Sequence, residues 1–412
     1  MSEEKQPKIR FKGFDDPWEQ RKLKNITSKI GSGKTPLGGK KEYEQKNGVL
    51  FLRSQNINNN RIDLNNVAYI SSKTDEEMIS SSINYNDVLL NITGASIGRS
   101  AVYRLVRHAN VNQHVCIIRL VDGYDSDFLQ LFLSSYYGQI QIFRNQAGGG
   151  REGLNFFQIG EMTFKFPTLN EQKRFSEFFI DIQNTIAANQ SKLEQLKRLK
   201  KLLMQKIFNQ EWRFKGFTDP WEQRKLGEGL KQLKSYSLPR KYEVPESDTE
   251  YIHYGDIHTS SRKYVDKSFR LPNIKSGDFQ LLQTGDIVLA DASEDYKEIA
   301  EPMLMKNIKG RKVVSGLHTI AIRLKCGDPV YYLYLFLSPG FRHYVYKVGT
   351  GLKVFGINYD KVQKYFLAVP DEKEQKYIGK ILFLTDQLIA ANQRRLDHLQ
   401  SLKKYLMQNM FV

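Results

Sequence analysis

The sequence predicts an α+β protein made twice over. Two similar α/β domains are separated by two long helices that pair as an antiparallel coiled coil, giving an internal pseudo-two-fold repeat. Three observations predict it. The stretch from Phe166 to Phe208 returns from Val369 to Phe411, with Glu171 and Gln172 matching Glu374 and Gln375, and Ala187 to Gln190 matching Ala390 to Gln393. The opening RFKGFDDPWEQRKL from Arg10 returns as RFKGFTDPWEQRKL from Arg213 at the same offset of 203 positions, differing only where Asp15 meets Thr218. Between these fixed frames lie short β-like runs whose residues differ between the copies. The implied organisation is a first domain over 1–165, a central helix over 166–208, a second domain over 209–368 and a C-terminal helix over 369–412.

Each long segment has the spacing of a helix seam. Phe175, Phe179, Ile182, Ile186, Leu193, Leu196, Leu203 and Ile207 alternate at three- and four-residue intervals. Ile378, Leu382, Ile389, Leu396, Leu399, Leu406 and Met410 answer in the second copy. This is the narrow stripe of a coiled coil. Pro167 and Pro370 stand just ahead of it, where a helix tolerates a missing N–H. Two seam positions are polar in both copies, Asn189/Asn392 and Lys200/Lys403, and such residues restrict register at some cost in stability. From Glu171 to Phe208 the rod is about 57 Å long at ~1.5 Å per residue. Only the other copy offers a seam long enough to cover it.

In chain order, the aromatic and charged opening segment is read as docking Trp18 and Phe14 on a neighbour, as Trp221 and Phe217 do in the second copy. GSGKT at Gly31 to Thr35 resembles the tail of a phosphate-binding loop. The glycine five positions before Gly33 is missing, however, because Ser28 stands there, and no apolar strand leads in. Strands are predicted over 49–53, 87–92, 100–104 and 115–120, and over 251–254, 286–289 and 319–324 in the second copy. Helical runs follow at 128–133 and 332–337. Each copy then has a glycine-rich loop, holding Arg151 in one and Lys353 in the other.

With 62 Lys and Arg against 45 Asp and Glu, the formal charge is +17 and the pI about 9.5. This suggests a polyanionic partner such as nucleic acid. No apolar run approaches a membrane span, and the N-terminus has no signal-peptide core. Cys116 and Cys326 do not superpose under the repeat and read as free thiols in a reducing cytoplasm. No histidine or cysteine spacing fits a metal. Pro370-Asp371 with Glu374-Gln375-Lys376 faintly resembles a nuclease acid cluster, but it opens a helix, where acids complement the dipole, and the first copy has Thr168-Leu169 instead.

Recognition is expected in the loops, where polar side chains can read base edges. Arg pairs with guanine, Asn and Gln with adenine, and Asp accepts from cytosine. The candidates in the first copy are Arg53, Ser54, Gln55, Asn56, Asn58, Arg61, Thr93, Ser96, Arg99, Asn112, Gln113 and Arg151. Those in the second are His253, Tyr254, Asp256, His258, Arg262, Lys263, Ser293, Lys297, His318 and Lys353.

Taken together, the doubled Pro-x-x-x-Glu-Gln-Lys helix starts, the Ala-Ala-Asn-Gln helix cores and the GSGKTP stretch resemble the specificity subunit of a type I restriction–modification enzyme over essentially the whole length. The resemblance implies two target recognition domains, each reading one half of a split, non-palindromic site, with the helix pair setting the unread spacer. It also implies partners: double-stranded DNA, two modification subunits that methylate adenine with S-adenosylmethionine, and two restriction subunits that translocate and cut with ATP and magnesium. This chain itself is then non-catalytic, without a cofactor, and cytoplasmic at the nucleoid. The rival readings are a coiled-coil scaffold with two protein-binding domains, and a self-sufficient methylase or nuclease.

Overall fold

The computed structural model describes residues 6–43, 48–58, 60–146, 153–351 and 354–412. The chain divides into two units, residues 1–189 with 395–412, and residues 190–394. Both long helices form, as Leu169–Phe208 and Glu372–Asn409, and each contributes one half to each unit.

The first unit is built on the antiparallel sheet Thr27–Ser32, Val115–Leu120, Val88–Asn91, Ser100–Val102, in that order. The strand Val88–Asn91 is buried throughout, because side chains alternate across a sheet and both faces are covered. Val88, Leu90, Cys116 and Ile118 share a core with Phe128 and Phe132 of the helix Ser126–Ser134. Leu89, Ala101, Val115 and Ile117 face the other way, onto Leu50, Leu52 and Val111. These last belong to a second sheet, Ala68–Ile70, Val49–Leu52, Ala109–Val111, Ser82–Ile83, in which Val49–Leu52 and Ala109–Val111 run parallel.

The second unit repeats the plan. Leu230–Gln232, Thr319–Leu324, Ile287–Ala290, Pro302–Met305 and Tyr264–Val265 make one sheet; Glu243–Val244, Asn273–Ile274, Thr249–Ile252 and Lys312–Ser315 make the other. Ile287, Leu289, Ile320 and Ile322 pack with Tyr331 and Leu335 of the helix Pro329–Leu337. Val288, Ala290 and Ala321 pack on Ile252 and Val313. A second helix follows the first in each unit, Tyr136–Arg144 and Pro339–Val348, neither of which is among the predicted helical runs.

One ion pair ties the central strands together in each unit. Arg119 donates from Nε and Nη2 to both oxygens of Asp87, at 2.8 Å each, and Arg323 does the same to Asp286 at 2.8 and 2.7 Å. Both carboxylates are buried. Such two-pronged pairing fixes strand register as well as charge.

The repeated opening segment is a strap over the start of each long helix. Arg10 donates from Nε and Nη2 to the two oxygens of Glu171, each at 2.7 Å, and Arg213 grips Glu374 at 3.0 and 2.6 Å. Trp18 and Trp221 are buried beside them. Gln172 donates to Pro167 O and accepts from Asp125 N–H; Gln375 does so with Pro370 O and Asp328 N–H. The acids at the helix starts therefore do more than complement a dipole: they are buried partners of arginine. This leaves the nuclease-like reading of Glu374-Gln375-Lys376 without a free carboxylate, since Glu374 holds Arg213 and Lys376 pairs with Glu372.

The seam is buried as its spacing predicts, with Phe175, Phe179 and Leu193 covered in the first helix and Ile378, Leu382 and Leu396 in the second. The helices run antiparallel within each unit. In the first, Lys403 Nζ donates to Gln183 Oε1 at 3.1 Å, while the Phe411 ring meets Phe175 edge-on and Phe179 at a tilt. In the second, Lys200 Nζ meets Asp386 Oδ1 at 2.7 Å, and Tyr334 donates its hydroxyl to Asp386 Oδ2. Asn189 and Asn392 donate to carbonyls of their own helices, at Thr185 and Leu388.

Among the described residues, no helix is long and apolar enough to cross a membrane, and no cluster could hold a metal ion.

Candidate nucleic-acid interface

The candidate loops lie at strand ends, so the sheets decide which side chains are offered outward. Many of the polar residues are spent closing the loops themselves. Asn56 is buried; its Oδ1 accepts from Arg53 N–H at 3.0 Å and its Nδ2 donates to Asp63 O at 2.9 Å. Arg53 donates Nη2 to Asn66 O and lies over the Tyr43 ring. Ser54 offers its carbonyl to Asn91. Ser96 is half-buried, with its carbonyl accepting from Arg99 N–H. Asn112 is buried, with Oδ1 accepting from His114 N–H. The structure keeps Asn56 and Asn112 away from any ligand surface.

Two exposed groupings remain in the first unit. Arg99 donates from Nη1 to Asn58 Oδ1 at 3.0 Å, with Gln55 and Arg61 exposed on neighbouring loop positions. The second grouping joins three loops. Thr35 bonds Gln113 Oε1, Gln113 Nε2 lies 3.3 Å from His114 Nε2, and His114 Nδ1 lies 2.6 Å from Thr93 Oγ1.

The equivalent place in the second unit is aromatic and charged. His318 O accepts from Asp291 N–H as His114 O accepts from Ile92 N–H, so the two histidines occupy the same position in the fold. His318 is half-exposed, adopts φ +56° and bonds Asp291 Oδ1 at 3.2 Å through Nδ1. Burial raises the Asp291 carboxyl above the ordinary carboxylate range. The Tyr254 ring is surrounded by His253, His258 and His318, with centroids 4.4, 5.9 and 5.3 Å away. His253 is buried, which lowers its pKa, and its Nδ1 accepts from Gly255 N–H. Asp256 pairs with Arg240, and His258 donates to Ala292 O.

The remaining described candidates of this unit, Lys297 apart, are turned inward or paired. Arg262 lies over Tyr264 and Phe269 and bonds Asp266. Lys263 bonds Ile257 O and Glu301. Ser293 is buried and accepts from Asp295 N–H. Lys297 is exposed beside Tyr296. Arg151 and Lys353 lie outside the described residues.

Sequence reading passed over Thr35, Asp291 and Arg240 as members of these groupings. One signal was present: HVCIIRL from His114 and HTIAIRL from His318 place a histidine before the same strand in both copies. GSGKTP also gains a structural reason. A Cβ on Gly33 would sit 1.7 Å from Val111 O, so the chain needs glycine there for a close backbone approach.

Comparison with known proteins agrees with this architecture. Residues 15–198 match the type I restriction modification DNA specificity domain. The chain is 22% identical over 441 residues to the specificity subunit assigned to the MjaX type I restriction enzyme of Methanocaldococcus jannaschii, covering 98% of this chain and 95% of that one. It is 27% identical over 173 residues to the EcoBI specificity subunit of Escherichia coli, covering 40% of this chain and 36% of that one. Its fold is similar to the S subunit of a type I restriction-modification system from M. genitalium, with TM-score 0.61, 13% identity and 99% of both chains covered. The HsdS subunit from Thermoanaerobacter tengcongensis gives 0.50, at 14% identity and 96% of each chain.

Proposed function

We propose, from the premise that this chain belongs to the type I restriction–modification specificity subunits, that its two domains read different halves of one split DNA site. The observation that carries this is the contrast between frame and loops. The straps, the Asp–Arg pairs and the helix starts repeat residue for residue. The groupings at the same strand ends do not, being Thr35, Gln113, His114 and Thr93 in one unit and Tyr254, His318 and Asp291 in the other. Equal frames with unequal loops suit half-sites of unequal sequence.

As a non-catalytic recognition subunit, the chain supplies sequence choice. Lysine and arginine side chains bind phosphates and loop residues read base edges. The paired helices fix the length of the unread spacer. Their outward Lys197, Arg198, Lys201, Arg394 and Arg395 are exposed and available to partner subunits or to DNA. Methylation with S-adenosylmethionine belongs to two modification subunits; ATP- and magnesium-dependent translocation and cleavage belong to two restriction subunits. The assembly works in the cytoplasm.

The test is an exchange of residues 24–165 for the corresponding domain of another specificity subunit. Sequencing of methylated sites should show one half-site replaced and the other retained. Replacement of both halves would defeat the modular reading.

A further inference from the structure

We propose that the Gln113 side-chain amide is the adenine-reading group of the first domain, held ready by Thr35 and His114. This rests on the reading of the chain as a DNA-recognition subunit and adds the base and the residue. Gln113 is exposed at the tip of the turn that precedes the strand Val115–Leu120, yet both ends of its amide are already bonded. The carbonyl oxygen meets Thr35 Oγ1; the nitrogen lies 3.3 Å from His114 Nε2.

Donor and acceptor needs give this chain one direction. An amide nitrogen only donates, so His114 Nε2 must present a lone pair. The imidazole proton is then on Nδ1, where Thr93 Oγ1 accepts it at 2.6 Å. Thr35 in turn donates its hydroxyl to Gln113 Oε1. The amide is thereby oriented, oxygen toward Thr35 and nitrogen toward His114, with one lone pair and one N–H left over. That remaining acceptor and donor are what the N6 amino group and N7 of adenine require in the major groove.

Three loops converge to hold this one exposed side chain. The Thr35 loop is kept in place by Gly33, whose backbone lies directly against Val111 and Asn112. Asn112, buried, fixes the turn by accepting His114 N–H. An exposed glutamine ordinarily loses rotamer freedom on binding, and here that cost is met before the ligand arrives. The second domain has Leu317 where the first has Gln113, so this adenine contact belongs to one half-site only.

The experiment assembles the full-length chain with its modification subunits and scores methylation over a library of randomised sites. With Gln113→Ala, discrimination at a single A·T pair of one half-site should fall by on the order of tenfold or more, while the other half-site keeps its full preference. With Gln113→Glu, which can only accept, the preferred base at that pair should move toward cytosine. Thr35→Val should weaken preference at the same pair and nowhere else. An unchanged profile for Gln113→Ala, or a uniform fall at every sequence, overturns the assignment while leaving the wider reading intact. Failure of the wider reading is separate: the unsubstituted complex would then show no defined site at all.

Discussion

Replacing Arg10 with alanine removes the charged partner of a buried carboxylate. Glu171 is fully buried, and both of its oxygens accept from Arg10. Two responses compete. In the first, the strap stays and Glu171 is left charged and unpaired; breaking a buried pair costs about 3–5 kcal/mol, and the slight exposure of Arg10 argues for the lower end, about 3. In the second, the strap lifts and water reaches the carboxylate. That exposes Trp18, whose burial alone covers about 150–250 Å² and is worth roughly 4–6 kcal/mol at ~25 cal/mol per Å². It also breaks the strand pairing of Glu19–Lys22 with Thr163–Phe166 and the edge contacts of Phe11 on Phe175 and Phe178. Lifting costs more, so the strap stays. Urea unfolding followed by tryptophan fluorescence should show Arg10→Ala destabilised by about 3 kcal/mol with an unchanged m-value. The Arg10→Ala, Glu171→Leu pair should recover most of the loss, because no charge is then stranded. A loss below about 1 kcal/mol, or a double variant worse than the single, would refute the reasoning; a smaller m-value would show that the strap had lifted.

Other outcomes follow from the helices and the core. Inserting four residues into each long helix adds ~6 Å of rod, and sequencing of methylated sites should show a spacer one or two base pairs longer at about 3.4 Å per pair; an unaltered spacer counts against the ruler. Lys403→Met should be neutral or stabilising by up to about 1 kcal/mol, since the half-buried ammonium meets the neutral Gln183 amide, whereas Lys200→Met should destabilise by leaving Asp386 without its cation. Burial lowers the pKa of Lys403. The unfolded chain therefore holds that proton to higher pH, and urea midpoints of the parent, but not of Lys403→Met, should gain a contribution that rises with pH in the window just below about 10.4. Cys116 is buried, which pushes its thiol up to about 12, while Cys326 is exposed. A thiol reagent at pH 8 should label one cysteine in the native protein and both in denaturant; native labelling of both would mean the first core is open.

The duplicated frame was legible in the sequence because it rests on local rules. Seam spacing and the prolines before the helices survive as read, whereas the repeated Glu, read as complementing the helix dipole, is the buried partner of Arg10 or Arg213. The loops were less legible because polar side chains have two employments. Asn56 and Asp256 look like base readers in one dimension. In the fold each accepts the backbone N–H three residues before it, from Arg53 and His253, so both close turns. Arg262 and Lys263 likewise satisfy Asp266 and Glu301. Long-range partners such as Asp87 for Arg119, or Thr35 for Gln113, leave no trace in local spacing. They become visible only once strands distant in sequence lie side by side.

The seam asparagines have a consequence for how the rods keep their place. Asn189 and Asn392 each donate to a carbonyl of their own helix, so the register rests on what lies nearer the ends of the pair. A slide by a heptad would carry Phe411 off Phe175 and Phe179 in one unit and separate Lys200 from Asp386 in the other. Register along these rods is thus pinned twice, by packed rings in one unit and by an ion pair in the other.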